Sequence, residues 1–403
     1  MTIGIIREGK TPPDKRVPFT PEQAAELQKT FRVKVLIESS NIRAYTDDEY
    51  REAGLEVVND ISSCDVLMGV KEVPIEQLHA DKTYFFFSHT IKEQPYNREL
   101  LRAVLDKNIR LVDYEVLTRK NGSRVVAFGR YAGIVGAYNG IRAWGVRTSD
   151  YTLTPAHLCY DRAEMNAELD KAKLPNNFKI VITGTGRVSQ GAQEVLKDLG
   201  VEKVSPLEFL DRDYNAPVYT CLEVNHYFFR SDNKPFDKAA FYNNPVGHIA
   251  RFTPFTQAAD MYIPCHYWDS RSPFIFTNDD ARSAACRIKI VADVSCDIDG
   301  PVVSTLRPST IDDPLYGYDP QQHAEVPFGT EGSIGVMAVD NLPCELPRDA
   351  SRDFGAELLM EVMPALLDKD PEERIERASI TDGRGQLGKH FSHLQGYVDG
   401  PAI

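Results

Sequence analysis

Met68-Gly69-Val70-Lys71-Glu72-Val73-Pro74 and Phe85-Phe86-Phe87-Ser88-His89-Thr90-Ile91-Lys92 each run from an apolar, strand-like segment into an ionisable group. Open α/β sheets present their chemistry at strand ends. Lys71 and His89 can each move a proton, and Lys92 adds a positive charge. A third stretch, Thr183-Gly184-Thr185-Gly186-Arg187-Val188-Ser189-Gln190-Gly191, reads as a strand-to-helix turn suited to a dinucleotide pyrophosphate.

Around the first two stretches the element types alternate. Ile3–Ile6, Val33–Ile37, Asp65–Val70, Thr83–Ser88 and Ile109–Val112 read as strands. Helices are expected from Pro21 to about Phe31, over Asp47–Ala53 and over Pro95–Lys107. Such alternation predicts parallel pairing and a doubly wound sheet. Gly129, Gly133, Gly136 and Gly140 then fall on one helical stripe. Each glycine costs a helix about 1 kcal/mol relative to alanine, so the stripe predicts close approach of another backbone. A long helix joining two domains and packed in the cleft between them is expected. Phe178–Thr183 and Val188–Leu199 form a second strand–helix unit, followed by a strand near Val201–Ser205. Residues 211–287 are aromatic and proline-rich and carry no clear periodicity. Ile288–Val294 and Gly335–Val339 read as strands, 307–330 as a long loop, Asp349–Leu367 as a helix and Phe391–Val398 as a terminal helix.

A chain of 403 residues, 42% hydrophobic, can bury more than one core. Its formal charge of −13 argues against nucleic acid or an anionic membrane surface as the main partner. No uncharged apolar run approaches the roughly 18 residues of a membrane span, and the N-terminus does not read as a signal peptide. The seven cysteines are dispersed without a C-x-x-C pair, which suits reduced thiols and a cytoplasmic setting. No Cys/His cluster has metal-ligand spacing, so no metal is expected.

Several side chains are candidates for chemistry. Lys71, at the end of an apolar run, is placed to have a lowered pKa, as a general base needs. The plain alternative is a solvated lysine. His89 suits acid–base work, though a single histidine there is as often structural. Lys10, Lys15 and Arg16 in the first loop, with Arg124, are candidates to collect carboxylates. Glu72, Glu115 and Asp297 are strand-end acids able to hold an ammonium or tune Lys71. The glycine turn departs from G-x-G-x-x-G in having Ser189 at the third position. Gly184, Gly186, Arg187, Val188, Ser189 and Gly191 are its expected contacts. An acid normally ends the next strand and binds the ribose hydroxyls. Ser205 stands where that strand should end, with Arg187 nearby, which favours NADP(H); NAD(H), with Glu208 as the ribose acid, is the alternative.

Taken in order, these blocks resemble the alanine dehydrogenase and transhydrogenase superfamily, and within it the lysine-forming saccharopine dehydrogenase and lysine–ketoglutarate reductase family. The blocks are Ile6-Arg7-Glu8-Gly9-Lys10 with Arg16 and Thr20-Pro21, Val70-Lys71-Glu72-Val73-Pro74, Ser88-His89 with Lys92 and Gln94, and Asp113-Tyr114-Glu115. They continue through Val126–Gly133, Asp293-Val294-Ser295-Cys296-Asp297, Asp340-Asn341-Leu342-Pro343 and Leu346–Ser351, spanning nearly the whole chain. The resemblance implies an α/β fold of two Rossmann-like doubly wound domains with a cleft between them. The substrate domain would be discontinuous, 1–129 and 335–403, and the dinucleotide-binding domain would be 130–334. It implies reversible reductive condensation of lysine with 2-oxoglutarate to saccharopine. Lys71 and His89 would be catalytic. Lys10, Arg16, Glu72, Lys92, Glu115, Arg124, Phe128 and Asp297 would meet the substrates. Two other functions compete: an alanine dehydrogenase-like amino-acid dehydrogenase, and a non-catalytic nucleotide-binding subunit of a transhydrogenase-type complex. The oligomeric state stays open.

Overall fold

The computed structural model describes residues 1–400, whose strands form sheets of six and eight and a two-stranded ribbon. The chain divides into two units, one of Met1–Phe128 with the segment from Pro347 onward, the other Gly129–Leu346.

In the first unit, β1 (Thr2–Ile5), β2 (Lys34–Glu38), β3 (Glu56–Val58), β4 (Val66–Met68), β5 (Thr83–Phe86) and β6 (Arg110–Asp113) are ordered β3-β2-β1-β4-β5-β6. Every pairing is parallel. The chain winds outward from β1 to β3, then restarts on the other side of β1 at β4. That reversal opens a crevice at the strand C-termini, where such sheets bind ligands. Helix Pro21–Phe31 starts as the sequence dictates. Thr20 caps it, accepting from the Gln23 amide, while the Gln23 side chain accepts from the Thr20 amide. The two sheet faces carry separate cores. Phe19, Leu27, Phe354 and Leu358 lie in one, and Leu101, Val104, Ile380 and Leu394 in the other. β3, which the sequence reading omits, is a short edge strand with no fully buried residue.

In the second unit β7 (Lys179–Thr183), β8 (Glu202–Lys203), β9 (Val218–Leu222), β12 (Met261–Pro264), β13 (Ile290–Ala292), β14 (Leu315–Asp319), β15 (Ala324–Val326) and β16 (Ile334–Met337) are ordered β15-β14-β16-β13-β12-β7-β9-β8. β10 (Phe228–Arg230) and β11 (His248–Ala250) form the separate antiparallel ribbon. The stretch 211–287 supplies β9, this ribbon and β12. Its aromatic residues Tyr227, Phe228, Phe241, Phe252 and Phe255 fill one core with Phe209.

Four expectations are corrected. The loop expected over 307–330 contains the antiparallel hairpin β14–β15, whose Tyr316 and Tyr318 are buried. β16 pairs with β13, so the chain returns to the first unit at Pro347, not near 335; of the stretch expected there, residues 401–403 lie outside the described ones. The glycine helix, Gly129–Thr148, lies within the second unit's residues and packs on its sheet and on helix Arg187–Asp198. A Cβ on Gly133 would sit 1.8 Å from the Val188 carbonyl oxygen, and one on Gly140 would sit 2.9 Å from Ala292 Cβ. Finally, the strand after the glycine turn does not pair with β7. β9 takes that place and β8 is pushed to the sheet edge.

Candidate active site

The loops leaving β1, β4, β5 and β6 meet at the C-terminal edge of the first sheet. Glu8, buried at 7% exposure, ties two of them together. Its Oε1 accepts from the Val70 amide at 2.6 Å and its Oε2 from the Lys71 amide at 2.9 Å. Burial, reinforced by Asp14, raises the Glu8 pKa to about 8, so this carboxyl is largely protonated at neutral pH. Lys71 therefore leaves β4 on a clamped backbone. Burial lowers its pKa, helped by the positive charges of Arg16 and Lys10. That is the shift that lets a lysine exchange protons near neutrality.

Glu72 joins the β1 and β5 loops. Its Oε2 accepts from Lys10 Nζ at 2.8 Å, and its Oε1 lies 2.5 Å from His89 Nδ1. Burial opposes its ionisation, but the bonds from His89 and Lys10 more than offset that and hold the pKa at about 2. An ionised carboxylate only accepts, so Nδ1 carries the proton and Nε2 of a neutral His89 is left as the acceptor. His89 itself sits in the left-handed region, at φ +53, which histidine enters more readily than most residues. The β5 and β6 loops are fastened by buried Asp113, which accepts from the Ser88 amide at 2.9 Å and the Glu115 amide at 2.7 Å.

Of the expected carboxylate-binding cations, Lys10, Arg16, Lys92 and Arg124 are matched with acids inside the chain, while Lys15 is exposed in the first loop. Arg16 forms a buried bidentate pair with Asp14, at 3.0 and 2.6 Å, and its guanidinium lies 4.1 Å from the Phe128 ring centroid. Phe128 stacks in turn on Phe354 at 4.4 Å. Lys92 lies 3.7 Å and Arg124 2.8 Å from the Glu115 carboxylate. The structure thus gathers Lys10, Arg16, Lys71, Glu72, His89, Lys92, Glu115, Arg124 and Phe128 in one unit. Asp297 is in the other unit, beyond β13. Burial and neighbouring Asp293 raise its pKa to about 6. Glu8 and Asp113 stand in the sequence blocks quoted above but are given no site role there, and Asp14 is not among the candidates. Glu8 lies three residues past β1 and Asp113 ends β6, positions shared by many capping acids, and Asp14 lies within the first loop.

In the second unit the glycine turn follows β7. Gly184 is left-handed, at φ +92, and a Cβ there would sit 2.6 Å from the Cys265 carbonyl oxygen. A Cβ on Gly186 would meet nothing within 4 Å. No side chain caps the amide end of helix Arg187–Asp198. A sharp turn, an open approach to the backbone and an uncapped amide end fit a dinucleotide pyrophosphate. Two expected contacts turn elsewhere. Ser189 is buried with its Oγ 3.2 Å from Cys221 Sγ, filling the helix–strand packing role of a third glycine. Gly191 packs helix on helix, since a Cβ there would sit 1.9 Å from the Arg130 carbonyl oxygen. Ser205 caps helix Pro206–Asp211 on the far side of β9, and the Glu208 side chain accepts from it at 2.8 Å. Neither Ser205 nor Glu208 is next to the turn in the sheet. Among the described residues no group of three or more His, Cys, Asp or Glu is placed to hold a metal ion, and no helix is long and apolar enough to cross a membrane.

Residues 4–135 match the alanine dehydrogenase/PNT N-terminal domain. The mitochondrial alpha-aminoadipic semialdehyde synthase of Rattus norvegicus is 31% identical over 98% of this chain and 47% of its own length. This chain therefore spans about half the length of the synthases it matches. The saccharopine dehydrogenase [NAD(+), L-lysine-forming] of Emericella nidulans is 24% identical over 91% of this chain and 92% of its own. A solved L-alanine dehydrogenase shares the fold at a TM-score of 0.65 and 17% identity, covering 98% of this chain and 99% of its own. The chain is thus similar to lysine-forming saccharopine dehydrogenases and alpha-aminoadipic semialdehyde synthases, and shares its fold with a solved L-alanine dehydrogenase.

Proposed function

We propose that this protein is a nicotinamide-dependent oxidoreductase that reversibly condenses lysine with 2-oxoglutarate to saccharopine. The first unit would supply substrate binding and acid–base chemistry, and residues 129–346 the dinucleotide site. The observation that carries the reading is Lys71 beside the Lys10–Glu72–His89 chain at the crevice of the first sheet. In the forward direction the ε-amine adds to the ketone, and the resulting carbinolamine loses water to give an imine. A reduced nicotinamide, when bound, supplies the hydride that converts the imine carbon to an amine carbon. On addition one proton moves from the amine nitrogen to the ketone oxygen. On dehydration the nitrogen gives up a second proton and the hydroxyl takes one up to leave as water. After hydride transfer the nitrogen takes one back, so the net reaction consumes one proton. Lys71, with its lowered pKa, and His89 Nε2, freed by the Glu72–Nδ1 bond, are the groups suited to these transfers.

Lys10, Arg16, Lys92 and Arg124 place four cationic side chains, with Lys71 beside them, against the carboxylates of Asp14, Glu72 and Glu115. Glu8, largely protonated, adds little negative charge there. That balance suits substrates carrying several carboxylates. Gly184, Gly186 and the amides of Arg187 and Val188 would hold the pyrophosphate. The cytoplasmic setting stays part of the proposal. Oxidation of NADH and NADPH measured with 2-oxoglutarate and a panel of amines tests the reading. Turnover should require lysine, and turnover only with pyruvate and ammonia would replace it with an alanine dehydrogenase activity.

A further inference from the structure

The sequence favoured NADP(H) because no acid ended the strand taken to follow the glycine turn. A strand carries the ribose acid only where it lies beside the first strand. In the structure β9, not β8, pairs with β7, with Thr183 opposite Leu222. The Gly184 amide donates to the Leu222 carbonyl at 2.9 Å, and Cys221 Sγ donates to the Gly184 carbonyl at 3.1 Å. The next residue along β9 is Glu223. It is exposed and starts the turn Val224–His226, where its amide donates to His226 Nδ1 at 3.0 Å and its side chain faces the His226 amide in a capping box; an exposed carboxylate there keeps lone pairs for a ligand. An acid ending the strand adjacent to a glycine turn is where a dinucleotide fold binds the adenosine-ribose hydroxyls. The place is defined by adjacency in the sheet, not by order along the chain. Here the two differ, because β8 is displaced to the edge.

We propose that Glu223 accepts the adenosine-ribose hydroxyls and makes the site prefer NAD(H) to NADP(H). Both hydroxyls of NAD(H) can donate to one carboxylate. A 2′-phosphate has no such donor and would face a like charge. The inference rests on the dinucleotide site proposed above. It reassigns the ribose contact from Ser205 and Glu208, which follow β8 beyond β9, to the end of the strand that pairs with β7.

The test is direct binding to the full chain, followed by nucleotide fluorescence, with NADH and NADPH and with the wild type and Glu223→Gln. Wild type should bind NADH about ten- to hundred-fold more tightly than NADPH, the scale of a lost charge-assisted hydrogen bond. Glu223→Gln should weaken NADH by that factor and leave NADPH unchanged or tighter. The same order should hold for AMP against adenosine 2′,5′-bisphosphate, which isolates the adenosine end. Tighter binding of NADPH by the wild type, or an unchanged NADH affinity in Glu223→Gln, would overturn the role of Glu223 and leave the dinucleotide site standing. Failure of both dinucleotides to bind the wild type would overturn the site itself, and this inference with it.

Discussion

Glu72 Oε1 lies 2.5 Å from His89 Nδ1, so one acid on the β4 loop sets which nitrogen of the β5-loop histidine carries the proton. Glu72→Gln replaces a pure acceptor with a group whose NH₂ can donate to Nδ1, which stabilises the other tautomer. We expect turnover to fall about 10²-fold and the pH–rate profile to shift, with His89→Gln losing about 10²–10⁴-fold. Stopped-flow or steady-state nicotinamide absorbance measures both. A Glu72→Gln enzyme with the wild-type profile would show that the pair is only structural.

Lys71→Met should also lower turnover by about 10²–10⁴-fold while leaving dinucleotide binding intact. Its place beside the two amides clamped by Glu8 motivates this. Near-normal turnover in a folded variant would remove Lys71 from the chemistry.

Arg16 and Arg124 should separate. Arg16 is 2% exposed and paired to Asp14, so Arg16→Ala leaves a buried carboxylate without its partner. We expect a stability loss of about 3–5 kcal/mol, read by chemical denaturation. Arg124 is about half exposed on Glu115, so Arg124→Ala should leave stability nearly unchanged and chiefly raise KM for 2-oxoglutarate. Equal stability losses would contradict the difference in burial.

Glu8 gives a pH signature. Its folded pKa of about 8 lies above the ordinary 4.5, so between those values the folded state binds a proton that the unfolded chain has lost. Stability therefore falls as pH rises through that window, by up to about 1.4 kcal/mol per unit from this group. Glu8→Gln should remove that component of the slope. Denaturation midpoints of both proteins from pH 5 to 8 supply the comparison, and parallel slopes would sink the assignment. Glu72 and Asp14 act in the opposite sense. Their pKa values of about 2 add stability that is present above the carboxylate range and lost as pH falls through about 2.

The glycines should divide by neighbour. Gly186→Val should keep the fold and abolish dinucleotide binding, because its Cβ direction is open space. Gly191→Val should destabilise by about 1–3 kcal/mol or more, since its Cβ would strike the Arg130 carbonyl. Melting curves and NADH titration of the two variants decide this. A stable Gly191→Val would mean that the two helices are not held at that contact.

Local information settled the elements whose signals lie within a few residues. Apolar runs ending in Lys71 and His89, the Thr20-Pro21 helix start and the strand–glycine–helix succession at Thr183–Gly186 are short-range patterns. Burial periodicity, capping and backbone freedom are encoded within a few residues. Neighbour relations are not. The sequence could not show that Arg16 closes on Asp14, that Gly191 faces a helix some 60 residues earlier, or that β9 displaces β8 beside β7. The last follows from burial. Val218–Leu222 is almost wholly buried and takes the covered position, whereas Glu202–Lys203 is exposed on both residues and stands at an edge. Strand order is thus chosen by which segment hides more apolar surface. That choice moved the candidate ribose acid from Ser205 and Glu208 to Glu223.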